Sequence, residues 1–392
     1  MIPRLGRYCT PDSPPIFPFF IYCPNMLFFV LGCLLSAFWT SFLMTAIMRG
    51  LAPRFGLIDK PAARKVHTTP TPLGGGVGIV AGVLIPLLSV QALLWWFGNQ
   101  PPSWIPSDLA PHLPGALSRG GQLASVLIGA TVLAIMGLMD DKRPLPWQPR
   151  IVVQLLVAIL IVMSGVRATV FVEDAWVGGI VSVCWFVVLV NSFNFLDNMD
   201  GLSGGIGLIV CLIFATMMLG RPGDPRWLVG GFFLILAGSL IGFLCHNWAP
   251  ARIFMGDAGS YFVGFTIASM TILGTFYTPD DVGEHTLLAP LCVLAVPLYD
   301  ITSVIWIRLR ENRSPFQPDK RHFSHRLAAL GFTRVQAVLI VHLCTLTTGL
   351  CGLLLYSVTS WAGAMLALAI TACMLVIIAI LESAPRQSEA AR

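Results

Sequence analysis

The sequence predicts an all-α, polytopic membrane protein with about eleven transmembrane helices. Hydrophobic residues make up 56% of the 392-residue chain and charged residues only 11%, which is under half the usual share in soluble domains. The mean hydropathy is +0.79. A water-soluble fold of this size could not bury so much apolar surface. Apolar stretches of about 20 residues, the length that a helix needs to cross the hydrocarbon core, recur along the whole chain.

Each apolar stretch is expected to form a helix, because an open strand edge would leave its backbone groups without hydrogen bonds in lipid. The fourth stretch is short, and a polar hinge separates the fifth from the sixth. The connections are too short for a separate soluble domain. The eleven predicted spans are 26–48, 73–97, 120–139, 150–166, 177–196, 201–220, 227–245, 258–278, 287–309, 335–356 and 361–381.

A single transmembrane catalytic domain is predicted over residues 26–382. Residues 1–25 form an N-terminal extension that is rich in proline, a residue that breaks helices. This extension is either disordered or lies upstream of the true translation start at Met26. Residues 383–392 form the predicted cytoplasmic tail.

The positions of the basic residues predict the orientation of the chain. With the N-terminus outside, the cytoplasmic segments and the tail hold 18 of the 24 Lys and Arg residues, which satisfies the positive-inside rule. The C-terminus is then cytoplasmic. Acidic clusters and three histidines fall on the same side, at helix ends. Ionisable groups at the membrane boundary are expensive, so their gathering on one face indicates a functional site.

Two groups of acidic and amide side chains stand at predicted cytoplasmic helix ends. Asp140 and Asp141 end the third span, and two adjacent carboxylates repel each other unless a cation or a proton lies between them. A solvated helix end is the alternative.

A row of amide and carboxylate side chains ends the fifth span. Its three-residue spacing puts oxygens suited to Mg²⁺ on one helix face; a hinge without ligands is the alternative. The members of this row are Asn191, Asn194, Asp197 and Asp200.

The connection between the seventh and eighth predicted spans contains a third polar segment. Gly256 and Gly259 allow the backbone to turn tightly, and Asp257 lies at the start of a helix. Free N–H groups at a helix start bind phosphate oxygens, here beside a carboxylate that can ligate a metal. Ordinary helix capping by Asp257 is the alternative.

Two basic segments complete the set. The segment around His322, His325 and Arg326 combines imidazoles with cations and suits a pyrophosphate; a patch for anionic lipid is the alternative. A segment before the second span combines Lys65 with a Pro/Gly turn and suits a phosphate, although positive-inside charge also explains it. No Walker A or GxGxxG pattern is present, so a nucleotide would be bound without a P-loop or Rossmann fold.

The five segments in this order resemble the polyprenyl-phosphate N-acetylhexosamine-1-phosphate transferase superfamily, over about residues 49–335. The most specific parts are NxxNxxDxxDGL, from Asn191 to Leu202, and FMGDxGS, from Phe254 to Ser260. The resemblance implies transfer of a sugar 1-phosphate of the N-acetylhexosamine type from a UDP-sugar to undecaprenyl phosphate. It also implies that UMP is released and that the reaction initiates the synthesis of a cell-envelope glycan.

The resemblance also implies roles for individual residues. Asn194 and Asp257 match the ligands of Mg²⁺, with Mn²⁺ as the alternative metal, and Arg150 stands where a lysine at the pyrophosphate is usual. The acidic pair of the third span matches carboxylates assigned to the polyprenyl phosphate. The residues expected to act in catalysis are Asp140, Asp141, Asp197 and Asp200. The residues expected to bind the substrates are Lys65, Arg150, Asn191, Asn247, His322, His325 and Arg326.

The sequence also departs from the family pattern in its histidine motif and at Asn198. Ser324 replaces the middle histidine of a motif that usually reads HxHH, and Asn198 stands where glycine is usual. The HHHFE motif of MraY is absent, so the WecA/TagO-like branch is the better match and an MraY-type muramoyl-pentapeptide transferase is the alternative. The resemblance leaves the sugar open between N-acetylglucosamine and a 6-deoxy-N-acetyl sugar. Because relatives carry histidine at position 324, Ser324→His is expected to be tolerated, and Asn247 matches an asparagine that contacts uracil.

The expected location is the inner (plasma) membrane, with several crossings and an active site that faces the cytoplasm. The expected partners are the UDP-sugar, undecaprenyl phosphate and membrane lipid, with a homodimer left open and no nucleic acid.

We expect direct attack by the lipid phosphate; a covalent aspartyl intermediate is the alternative. A membrane transporter is the alternative from another class, but its acids should lie near the midplane. A CDP-alcohol phosphotransferase would carry an arginine that is missing after Asp200.

Overall fold

The described part of the chain is almost entirely helical. Of the predicted N-terminal extension only the last two residues are described, and of the predicted tail only Ser383; Lys65 lies outside the described residues. The computed structural model describes residues 24–59, 70–97, 112–168, 174–220, 225–274, 283–316 and 321–383.

Fourteen α-helices are present in these residues, with two 3₁₀ helices, Ala52–Phe55 and Glu284–Leu288, and one pair of two-residue strands. The α-helices are α1 (Pro24–Leu51), α2 (Gly75–Phe97), α3 (Leu113–Ser118), α4 (Gly120–Lys142), α5 (Trp147–Met163), α6 (Ala175–Leu196), α7 (Leu202–Leu219), α8 (Trp227–Asn247), α9 (Gly256–Leu273), α10 (Ala289–Val293), α11 (Ala295–Arg310), α12 (Phe323–Ala329), α13 (Arg334–Ser357) and α14 (Trp361–Ser383).

Eight helices in the described part of the chain are long and apolar enough to cross a membrane. A bent pair, in which α11 follows α10 at an angle of 65°, would make a ninth span. The all-α, polytopic class is therefore confirmed. Each of the eleven predicted spans overlaps a helix, but α5 is a shorter apolar helix of 17 residues and α9 is not among the eight. The count of eleven is not confirmed, and it stays a prediction, as does the orientation of the termini.

Helices α7, α8 and α9 form the centre of the bundle, where most of their side chains are buried. α8 packs along α1, and α9 packs against both α4 and α6. Gly238 of α8 shows how closely the helices approach, because a Cβ there would collide with the carbonyl oxygen of Leu34 in α1. Small residues of this kind allow the van der Waals packing that holds helices together in lipid.

A short strand pair fixes the segment that leads into α9. Ile58–Asp59 pairs antiparallel with Thr71–Pro72, and the chain then runs beside Phe254. The Phe254 N–H donates to the Pro72 carbonyl at 2.9 Å, and the Phe254 carbonyl accepts from the Gly75 N–H at 2.9 Å. These bonds join the start of α2 to the start of α9.

Candidate active site

The start of α9 is the centre of the candidate site. Gly256 has a φ of +73°, a conformation that favours glycine, and a Cβ there would collide with the Asp141 carboxylate. This residue makes the predicted turn. The predicted turn at Gly259 is wrong, because Gly259 lies inside α9 and a Cβ on Gly76 would strike its backbone. The small size of Gly259 serves helix packing.

Asp141 caps α9 from a neighbouring helix. Its carboxylate accepts hydrogen bonds from the backbone N–H groups of Asp257 at 2.8 Å and Ala258 at 3.3 Å. α4 can come this close because residue 137 is glycine, and a Cβ on Gly137 would collide with the backbone of Asp257. The first N–H groups of a helix need such acceptors. Asp257 does not cap its own helix, so the alternative of local capping is wrong.

Asp140 is buried at the end of α4 and uses both carboxylate oxygens. Oδ1 accepts from the Leu145 N–H at 2.6 Å, and Oδ2 accepts from the Arg150 guanidinium at 2.8 Å. The same guanidinium lies 3.7 Å from Oδ2 of Asp257. Arg150 therefore lies between carboxylates of two helices. These contacts do not fit the solvated helix end that was the alternative for this acidic pair.

A hinge between α6 and α7 carries two further aspartates. α6 ends one residue before Asp197, so the predicted row of side chains does not continue along one helix face. Gly201, with a φ of +73°, turns the chain into α7. Asp197 accepts from the Gly256 N–H at 3.1 Å, and Asp200 accepts from the Ala251 N–H at 2.9 Å. Both carboxylates hold the hinge against the segment that leads into α9.

Asn247 ties the same two segments together. Its Oδ1 accepts from the Gly201 N–H at 2.9 Å, and its Nδ2 donates to the Ile253 carbonyl at 2.9 Å. The side chain is buried. Backbone groups therefore use both ends of its amide, which indicates that Asn247 positions the hinge. Its role at the uracil stays a prediction.

Asn194 projects from α6 into the aspartate cluster. Its Nδ2 donates to Asp257 Oδ1 at 2.7 Å and to Ser260 Oγ at 3.1 Å. Asn191, one turn earlier, donates instead to Gln154 Oε1 in α5 at 2.7 Å. Of the two asparagines, only Asn194 makes a described contact with the start of α9.

Negative charge dominates this cluster. Among the described ion pairs, only those of Arg150 reach it. Burial raises the pKa of Asp197 to about 7, and the nearby carboxylate of Asp141 acts in the same direction.

No three His, Cys, Asp or Glu side chains in the described ranges form a group that could hold a metal ion. Asn194 and Asp257 offer hard amide and carboxylate oxygens, and Mg²⁺ is usually held by one or two such groups together with substrate phosphates. The two side chains bond to each other in this structure, and their role as ligands of Mg²⁺ stays a prediction.

The short helix α12 brings a histidine to the hinge. His322 Nδ1 donates to Asp300 Oδ2 at 2.9 Å, and the other oxygen of Asp300 accepts from the Phe323 N–H at 2.7 Å. The Phe195 ring meets the His322 ring edge-on, with centroids 5.3 Å apart. Asp300 is fully buried. Asp300 is not among the predicted site residues, although a lone acid within the apolar stretch 287–309 is a signal for one.

The other two predicted residues of this segment have different surroundings. The ring of His325 lies 6.3 Å from that of His322, centroid to centroid. Arg326 donates to Ser303 Oγ at 2.7 Å and pairs with Glu382 Oε1 at 3.1 Å. These contacts of Arg326 join α12 to α11 and α14, and its role in substrate binding stays a prediction.

Comparison with known proteins identifies the family. The family model "Glycosyl transferase family 4" matches residues 123–275, which contain the aspartate cluster and end before the histidine helix. A "Decaprenyl-phosphate N-acetylglucosaminephosphotransferase" of Mycobacterium leprae is 33% identical to the chain, over 79% of each protein. The chain belongs to glycosyl transferase family 4.

Two further relatives extend the comparison for this family 4 protein. A "Probable undecaprenyl-phosphate N-acetylglucosaminyl 1-phosphate transferase" of Bacillus subtilis is 29% identical, over 82% of this chain and 84% of the relative. An "Undecaprenyl-phosphate alpha-N-acetylglucosaminyl 1-phosphate transferase" of Escherichia coli is 29% identical, over 79% of each protein. The family resemblance predicted from the motifs is confirmed.

Proposed function

We propose that this family 4 protein transfers N-acetylglucosamine 1-phosphate from UDP-N-acetylglucosamine to a polyprenyl phosphate, with undecaprenyl phosphate as the acceptor, and releases UMP. The observation that carries the proposal is the meeting of Asp140, Arg150 and Asp257 from three helices. It occurs in a chain whose relatives are named as transferases of N-acetylglucosamine 1-phosphate to polyprenyl phosphates. The product would begin the synthesis of a cell-envelope glycan.

Mg²⁺ is the proposed cofactor, with Mn²⁺ as the alternative metal. Asn194 and Asp257 would hold it, the amide through its oxygen and the aspartate through its carboxylate. The excess of carboxylates over the single arginine in described contact with them supports a divalent cation here. When bound, such a cation neutralises charge on a diphosphate and stabilises the UMP leaving group.

Arg150 is the residue proposed to bind the diphosphate of the donor. Asp140 holds one edge of the guanidinium, and about a quarter of the Arg150 side chain is exposed, at 26%. A guanidinium presents five N–H donors, so groups remain for phosphate oxygens. The orientation fixed by Asp140 would place positive charge where negative charge develops on the leaving UMP, which lowers the barrier.

Direct attack by the lipid phosphate needs no strong base, because a phosphate monoester is already anionic near neutral pH. A bond forms between an acceptor oxygen and the β-phosphorus of the donor, and the bond from that phosphorus to the bridging oxygen breaks. UMP leaves with the electron pair. His322, whose ring is held by Asp300 through Nδ1, would present Nε2 to the substrate phosphates.

The proposed setting is the inner membrane, with eleven spans, the N-terminus outside and the whole catalytic domain between residues 26 and 382. The excess of Lys and Arg in the predicted cytoplasmic segments supports this orientation. The active site then faces the cytoplasm, where UDP-sugars are made. A homodimer stays a prediction.

The test is an assay of the purified protein in lipid nanodiscs with undecaprenyl phosphate and a panel of UDP-sugars. We expect UMP release that requires the acceptor lipid, is highest with UDP-N-acetylglucosamine and stops when EDTA is added. UDP-muramoyl-pentapeptide and a 6-deoxy-N-acetyl sugar donor are included as the alternative substrates. Absence of acceptor-dependent UMP release from every donor would overturn the proposal, and full activity in EDTA would overturn the metal assignment.

A further inference from the structure

Two of the departures from the family pattern, Asn198 and Ser324, lie in direct contact. The Ser324 hydroxyl donates to Asn198 Oδ1 at 2.7 Å, across 126 residues of sequence. Ser324 is 2% exposed, and the Asn198 amide group is held at its other end by a bond from Nδ2 to the Phe195 carbonyl at 2.6 Å. Both ends of the Asn198 amide are therefore fixed.

Space, rather than backbone conformation, links positions 198 and 324. Asn312 is the only non-glycine residue with positive φ in the described part of the chain, so the backbone at Asn198 does not require glycine. The Asn198 amide lies directly on a buried serine hydroxyl. An imidazole at position 324 would need the volume that this amide fills. Glycine at 198 would leave this volume open, so the two departures are compatible in size.

Asn198 and Ser324 lie between two parts of the candidate site. Asn198 lies in the hinge between Asp197 and Asp200, and Ser324 lies on α12 between His322 and His325. The hinge aspartates bond to the segment that leads into α9, and His322 bonds to Asp300. The hydrogen bond between Ser324 and Asn198 thus joins the hinge that carries the aspartates to the helix that carries the histidines.

We propose that Asn198 and Ser324 are a coupled pair of positioning residues, which together set the placement of the hinge aspartates relative to the His322–Asp300 pair. This proposal rests on the proposed function. It changes the expectation from the sequence alone: histidine at position 324 fits only when position 198 is glycine.

A double-mutant cycle on the full-length protein in nanodiscs tests the coupling. We expect Ser324→His alone to lower kcat about tenfold or more, and Asn198→Gly alone to lower it about threefold. The double variant should recover to within about threefold of the parent, because residues in contact couple by such factors. KM for the UDP-sugar should change less than kcat. Additive losses, or full activity of Ser324→His alone, would overturn the proposal.

A second measurement does not depend on turnover. Ser324→Ala removes only the hydroxyl, and hydrogen exchange at residues 197–201 should then speed up, with the midpoint of thermal unfolding near that of the parent. Ser357→Ala is the matched control, since the Ser357 hydroxyl is exposed and bonds only to the Leu353 carbonyl of its own helix. Unchanged hydrogen exchange in the hinge would refute the proposal that Ser324 and Asn198 position it, even if the enzyme is active. Faster exchange in a protein that turns over no UDP-sugar would refute the proposed function and retain the link.

Discussion

The carboxylate of Asp141 accepts a hydrogen bond from the backbone N–H of Asp257, with a distance of 2.8 Å. One aspartate of the site therefore holds in place the helix that presents another. The contact depends on Gly137 and Gly256, whose missing side chains leave room for it. A motif at the end of one span and a motif at the start of another are thus parts of one structure.

This contact predicts different effects for two substitutions of Asp141. Asp141→Ala removes the acceptor for the first N–H groups of α9 and should lower the stability by about 1 kcal/mol, the usual cost of a lost cap. Asp141→Asn keeps one acceptor oxygen and should stay closer to the parent in thermal unfolding. UMP release should follow the same order. Equal unfolding midpoints for the alanine and asparagine variants would contradict the capping role.

Asp257→Ala should abolish UMP release while the protein stays folded and inserted. The expected cause is loss of a metal ligand at the start of α9. The matched control is Asp174→Ala, an exposed aspartate that precedes α6, which should retain full activity. UMP release and size-exclusion profiles of both variants are compared with the parent. Retained activity in Asp257→Ala would remove the metal assignment.

Asp300→Asn should lower kcat by about 10- to 100-fold, the value of one hydrogen bond to a charged group. The amide lacks the negative charge of the carboxylate and can present N–H toward Nδ1 of His322, which weakens the hold on the ring. KM for the donor should change less. The measurement is steady-state kinetics as a function of pH, and an unchanged kcat would show that the His322–Asp300 pair has no part in the reaction.

Arg326 and Glu382 should behave as a structural pair. Breaking a largely buried pair by removing one partner costs about 3 kcal/mol, so Arg326→Ala and Glu382→Gln should each lower the midpoint of thermal unfolding. The double variant should be little worse than either single variant, because the partners share one interaction. If Arg326→Ala instead raises KM for the UDP-sugar without a loss of stability, the sequence prediction of substrate binding is correct.

Hydropathy alone predicted a helix at every span, since the bilayer leaves the backbone no other solution. It also indicated that the fourth span, α5, is short, but it could not show that α10 and α11 form a bent pair, because that feature depends on packing. Spacing placed Asn191, Asn194 and Asp197 on one face. In the structure the helix ends before Asp197, and Asn191 donates a hydrogen bond to Gln154. Local spacing could not predict either feature, because it does not say where a helix ends or which residue lies next to it.

Contacts between distant segments were beyond the reach of the sequence pattern. Nothing in the sequence pairs Asp300 with His322, which lies 22 residues away along the chain. Asn198 and Ser324 are two separate departures in the sequence, and only the structure shows that they are in contact. In each case the decisive information is which side chain fills the space next to a residue.

The most direct test of phosphoglycosyl transfer uses UDP-N-acetylglucosamine that carries a radioactive β-phosphorus. Purified protein is incubated with this donor, undecaprenyl phosphate and Mg²⁺, and the lipid and aqueous phases are separated. We predict that the label moves into the lipid fraction of the parent, that unlabelled UMP stays in water, and that Asp257→Ala leaves the label on the donor. Label that stays in water as UDP while the sugar enters the lipid, or label that never leaves the donor in the parent, would contradict the proposed reaction.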